Sequence, residues 1–174
     1  MSRIPLMPLE EMPEKTRQMI VGGKSDLSVL NINKMVAHAE YSARHFMRLG
    51  NSLLSQAKLD SVLREIAILR IANLCDSRYE WHQHEIVARQ VGVSEEKISA
   101  LKAGQGSPAE LFNPQERAVL KYTEEVTQNV KSTEESFESL RKFLDNQELV
   151  ELTLTVGFYN LVARFLENTG VEIE

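Results

Sequence analysis

Cysteine and aromatic residues are scarce in these 174 residues, and the scarcity of cysteine closes a class of function. The single cysteine, Cys75, can form neither an internal disulfide nor a Cys-x-x-Cys redox pair, so any dithiol chemistry needs a thiol from elsewhere. No segment approaches the ~20 consecutive apolar residues of a membrane span. Met1 to Gly23 lacks the basic start, apolar run and small-residue cleavage site of an export signal. Basic clusters are missing as well: 20 Lys and Arg stand against 25 Asp and Glu, a formal net charge of -5, which removes the electrostatic footprint of a nucleic-acid binder. These absences point to a cytoplasmic protein whose partner is a small molecule, with neither nucleic acid nor a membrane involved.

What is present is helix. Hydrophobic residues make up 43% of the chain, enough for one globular domain with a core, and no run shows the sustained alternation of a half-buried strand. Pro5, Pro8, Pro13 and the pair Gly22-Gly23 set residues 1–30 apart as an extended arm with one short helix around Glu14 to Val21. Residues 31–174 read as a single all-helical domain. Asn31 to Gln56 is helical with a break near His38 to Tyr41, and Asp60 caps a helix running from Ser61 to Leu74. That helix is apolar almost all round, as a buried one is. Tyr79 to Val91 ends at Gly92, Ser94 opens a short helix, and Asn113-Pro114, Ser132 and Asn146 open three more. The fold class is all-α, with roughly seven to nine helices. Val87-Ala88-Arg89 before Gly92 echoes Val162-Ala163-Arg164 before Gly170, but the spacings slip and chance accounts for it.

Three residues carry the chemistry. Glu65 sits among Val62, Ile68, Leu69 and Ala72, its neighbours at helical spacing. An unpaired carboxylate there has its pKa raised and is poised to hold a proton near neutral pH. Arg64 and Arg70 project elsewhere on the same helix, so a structural partner for Glu65 has to come from another element. Glu80 and His84 stand four residues apart, close enough to touch, and begin a core-facing stripe. His82 lies about 200° round the helix from His84, which argues against a His-x-His metal clamp, and no metal or cofactor is expected. Tyr79 offers a phenol to a bound acid, and Arg164, four residues after Asn160, offers a cation. Cys75, beside Asp76, reads as a dulled, buried thiol.

The stretches Leu63-Arg64-Glu65-Ile66-Ala67-Ile68-Leu69, Tyr79-Glu80-Trp81-His82-Gln83-His84 and Gly92-Val93-Ser94-Glu95-Glu96-Lys97-Ile98 resemble the carboxymuconolactone decarboxylase family, which belongs with the alkylhydroperoxidase D-like proteins. Leu149-Val150-Glu151-Leu152 and Gly157-Phe158-Tyr159 are similar to it more loosely. The resemblance implies an alkylhydroperoxidase D-like helical bundle that assembles as a trimer or hexamer, with its site near subunit contacts. The family's peroxidase branch uses an upstream Glu, a Cys-x-x-Cys pair and a His four residues on. Setting that His on His84 puts the Glu on Glu65 and the thiols on Ser77 and Glu80, so both thiols are missing. The decarboxylase branch does without them and acts, with no cofactor, on a small acidic lactone.

The leading expectation is therefore a cofactor-independent acid/base enzyme with Glu65, Glu80 and His84 as catalytic residues: His84 moves the proton, Glu80 orients or charges it, and Glu65 is a second acid/base. Tyr79 and Arg164 are the candidate substrate-binding residues. A peroxidase-like oxidoreductase using Cys75 with an external thiol is one alternative. A non-catalytic helical oligomer in which the three residues merely lock helices together is the other.

Overall fold

The computed structural model describes residues 2–22 and 29–174, and every described element is helical. After a 3-10 turn at Leu9–Glu11 come α1 (Glu14–Val21), α2 (Asn31–Val36), α3 (Glu40–Ser55), α4 (Ser61–Leu74), α5 (Arg78–Val91), α6 (Glu95–Lys102), α7 (Pro114–Asn129), α8 (Glu134–Arg141) and α9 (Asn146–Thr169). The expected all-α fold is what forms. The break foreseen near His38 to Tyr41 separates α2 from α3.

Side-chain caps set the helix starts. Asp60 accepts from the amides of Val62 and Leu63 and Ser94 accepts from Lys97, each satisfying donors that a helix cannot satisfy for itself, at about 1 kcal/mol per cap. Asn113 with Glu116, and Asp145 with Glu148, close reciprocal capping boxes. Gly92 ends α5 at φ +98°, a conformation in which a Cβ would be strained.

The core is built round α4, which packs on α5, α7 and α9. Ile66, Ala67, Ile68, Leu69 and Ile71 are wholly buried, so α4 is the central rod its apolar girth predicts. One helix bears on the expectation about membrane spans. α9, at 24 residues and a mean hydropathy of 1.4 over its most apolar window, is long and apolar enough to cross a membrane by length and composition. Half of that window is buried in the protein, where Leu152, Val156, Ala163 and Leu166 pack into the core.

The arm is tied to the body. The Arg3 amide donates to the Thr169 carbonyl at 2.8 Å, and His38 Nε2 lies 2.9 Å from the Pro5 carbonyl. Met12, Ile20, Val29 and Ala37 form a small apolar cluster beneath it. Residues 23–28 of the expected arm, with Gly23 of the Gly22-Gly23 pair, lie outside the described residues.

Candidate functional site

Glu65 is wholly buried on α4, and its two oxygens have different partners. Oε2 lies 2.8 Å from His84 Nδ1, across the α4–α5 contact, and Oε1 accepts from Arg64 Nε at 3.1 Å. An ionised carboxylate only accepts, so Nδ1 carries the hydrogen and Nε2 is the nitrogen left for a ligand. Nε2 has no hydrogen-bond partner among the described residues. The His84 ring stands edge-on to Tyr159 of α9, with centroids 4.8 Å apart at 85°, which fixes its plane.

Two expectations are overturned by these distances. His84 is oriented by Glu65, not by Glu80 four residues away. Glu65 is not unpaired either: although Arg64 is its chain neighbour, the flexible arginine folds along the helix and brings Nε to the carboxylate. Glu65 therefore has its charge balanced within one buried group of three.

The orphan carboxyl is Glu80. It is 2% exposed, and neither oxygen has a hydrogen-bond partner among the described residues. Burial drives its pKa well above the ordinary carboxylate range, and the Glu167 carboxylate pushes the same way. The sequence Ser77-x-x-Glu80 has the form of a capping box, yet the box does not close. The Ser77 amide is already taken by the Ala72 carbonyl at 2.8 Å, and the Ser77 hydroxyl caps nothing.

These side chains border a cavity of about 700 Å³. His84, Glu80 and Tyr159 line its inner part, Phe46 and Phe158 form an aromatic wall with ring centroids 5.0 Å apart, and Met19 to Gly22 of the arm close another side. Gly50 is needed there, because a Cβ on it would come 3.0 Å from the Phe158 ring. The Tyr159 hydroxyl makes no hydrogen bond among the described residues. Burial, with the Glu65 and Glu80 carboxylates, raises its pKa and keeps it a neutral donor.

The remaining sequence candidates fall differently. Tyr79 borders the cavity, but its hydroxyl donates to Glu174 at 2.6 Å and lies 3.3 Å from the Ile32 amide, so it is already engaged. Arg164 is outside the cavity lining and donates to the Asn160 carbonyl and side-chain oxygens at 2.8 and 2.6 Å. Cys75 is half-buried at the end of α4, 3.9 Å from Asn160 Oδ1. Burial pushes its thiol up, the nearby Arg164 guanidinium opposing. Among the described residues no three His, Cys, Asp or Glu side chains gather as metal ligands would.

Arg48, not singled out from the sequence, lines the cavity, and so does Tyr159, noted there only within the run Gly157-Phe158-Tyr159 and not as a site residue. The usable signals were a glycine inside an amphipathic helix two residues past Arg48, which marks a close approach, and a Gly-Phe-Tyr run within α9.

Comparison with known proteins finds similarity at the level of family pattern and fold. Residues 41–125 match the carboxymuconolactone decarboxylase family. The uncharacterized protein YnjA of Escherichia coli K12 is 32% identical over 120 residues, which cover 68% of this chain and 63% of YnjA, so the match spans less than two thirds of that relative. An uncharacterized peroxidase-related protein from Ralstonia eutropha JMP134 with an alkylhydroperoxidase AhpD core superposes with a TM-score of 0.85 at 20% identity, over 99% of this chain and 92% of that one. The debrominase Bmp8 superposes with a TM-score of 0.75 at 16% identity, covering 92% of this chain and 87% of its own. At these identities the two solved structures share the fold.

Proposed function

We propose that this chain, whose residues 41–125 match the carboxymuconolactone decarboxylase family and whose fold is that of alkylhydroperoxidase D-like proteins, is a cofactor-independent acid/base enzyme acting on a small acidic, lactone-type substrate. The observation that carries this reading is His84, which lines the cavity while its Nδ1 is held by the buried Glu65. Glu65 holds Nδ1–H, so Nε2 presents to the cavity and exchanges a proton with the bound molecule. In a decarboxylation the carbon–carbon bond to the carboxylate breaks, carbon dioxide leaves, and the electron pair passes into an enolate. A proton carried by Nε2 then closes the sequence at carbon. The free Tyr159 hydroxyl is a donor for the enolate oxygen, in a wall sheltered from water.

Glu80 has a different role in this scheme. Its oxygens are out of reach of solvent, and its preference for the neutral form keeps a second negative charge away from an anionic substrate. A thiol mechanism has less support, because Ser77 and Glu80 stand where the family's peroxidase branch has its cysteines and the Cys75 thiol is pushed up by burial. Assembly into a trimer or hexamer is part of the same proposal, supported by the exposed apolar stripe Val150, Leu154 and Leu161 along α9.

The test is to offer 4-carboxymuconolactone and related acidic lactones to the purified protein and follow carbon dioxide release in wild type and His84→Ala. Loss of a general acid/base of this kind costs roughly 100- to 10,000-fold in rate. Equal rates in the two proteins, or no release by either, refute the reading.

A further inference from the structure

The cavity has an uneven distribution of charge that the acid/base machinery leaves unused. At its buried end His84 is paired with Glu65, whose other oxygen takes Arg64, and burial drives Glu80 toward its neutral form. Among the described residues, the remaining charged side chain in the lining is Arg48 of α3. It is exposed, and its guanidinium has no ion-pair or hydrogen-bond partner among the described residues. Asn51, three residues on and thus on the same face of α3, also lines the cavity with its side-chain amide unengaged. Phe46, Phe158 and Leu54 give the same cavity an apolar wall, and His84 and Tyr159, which also line it, are buried whereas Arg48 and Asn51 are exposed. The cavity is therefore polar and cationic at an exposed end, apolar along its side, and proton-active at a buried end.

We propose that Arg48, assisted by Asn51, binds a carboxylate at the mouth of the cavity, so that the substrate is a small acid with an apolar body whose reacting carbon reaches inward to His84 while this carboxylate stays at the entrance. The inference rests on the cavity being the substrate site. A planar guanidinium takes a carboxylate through two parallel N–H donors, which a neutral amide of the same shape cannot match. Arg48 is then a specificity residue: it selects the acid and sets which end enters first, and the carboxylate it holds is not the group that reacts.

Binding tests this without turnover. Phenylacetate and hexanoate are titrated calorimetrically into wild type, Arg48→Gln, Arg48→Lys and His84→Ala at neutral pH, alongside phenylacetamide and hexanamide. The acids are expected to bind wild type and His84→Ala at least tenfold tighter than the amides, to lose that preference in Arg48→Gln, and to recover part of it in Arg48→Lys. Equal affinity of acid and amide for wild type, unchanged acid affinity in Arg48→Gln, or no saturable binding of either acid overturns the proposal. Should His84→Ala turn over lactones as fast as wild type while Arg48→Gln loses the carboxylate preference, the acid/base reading falls and this assignment stands.

Discussion

Replacing Glu80 by Gln should make the protein less sensitive to alkaline pH, by an amount that follows from its burial. The carboxyl is 2% exposed and accepts no hydrogen bond among the described residues, so ionising it in place means leaving an unpaired charge in an apolar setting. Its pKa in the folded protein lies well above the value of about 4.3 it takes in an unfolded chain. The sign follows from linkage. A carboxyl whose folded pKa is raised favours folding fully below the unfolded value, and this contribution is lost as pH rises toward and through the folded one. Between those two values the unfolded chain releases a proton that the folded chain keeps, and stability falls by up to about 1.4 kcal/mol per pH unit. Glutamine is nearly isosteric and does not titrate, so its unpaired amide adds an offset that is constant with pH. Urea unfolding followed by far-ultraviolet circular dichroism, for both proteins in half-unit steps upward from pH 5, should show wild type losing stability relative to Glu80→Gln. A difference independent of pH, or one growing in favour of wild type, refutes the claim that Glu80 is buried as the acid.

Glu65→Ala leaves Arg64 and His84 without their shared partner in the core, and denaturant unfolding should register a loss of about 3–5 kcal/mol; a loss below 1 kcal/mol would mean that the pair is not buried as described. Gly50→Val places side-chain atoms against the Phe158 ring, already 3.0 Å from a Cβ, and should cost about 1–3 kcal/mol in the same assay despite the better helix propensity of valine. Cys75→Ser should leave lactone turnover unaltered, and any hydroperoxide consumption should be the same in wild type and variant; loss of either would return the thiol to the mechanism.

The helices were legible because their signals are local. Asp60, Ser94 and Asn113 mark starts that the structure confirms as caps, and the apolar girth of α4 announces the buried centre of the fold. The site was legible only in part, for a reason of the same kind. Helical spacing sees neighbours along one helix, so it paired Glu80 with His84, whereas the bond that forms runs from α5 to Glu65 on α4 and depends on how those helices pack. Spacing also set Arg64 apart from Glu65, since a wheel places side chains by their Cβ and a long guanidinium can turn back. The capping-box pattern at Ser77 and Glu80 fails because the Ser77 amide has a competing acceptor in Ala72, which the sequence places five residues earlier with nothing to mark it. Arg48 enters the site because α1, α3, α5 and α9 converge on one cavity, and no local pattern encodes that convergence.

The central claim is that Glu65 fixes the His84 ring through Nδ1–H and turns Nε2 toward the cavity. Nitrogen-15 NMR of histidine-labelled protein, with His84 assigned by comparison with His84→Ala, measures this directly through the shifts of the two ring nitrogens. A protonated, hydrogen-bonded Nδ1 is expected at neutral pH, and its signal should change when Glu65 is replaced by Ala. An unprotonated Nδ1, or a His84 spectrum indifferent to the loss of Glu65, would contradict it.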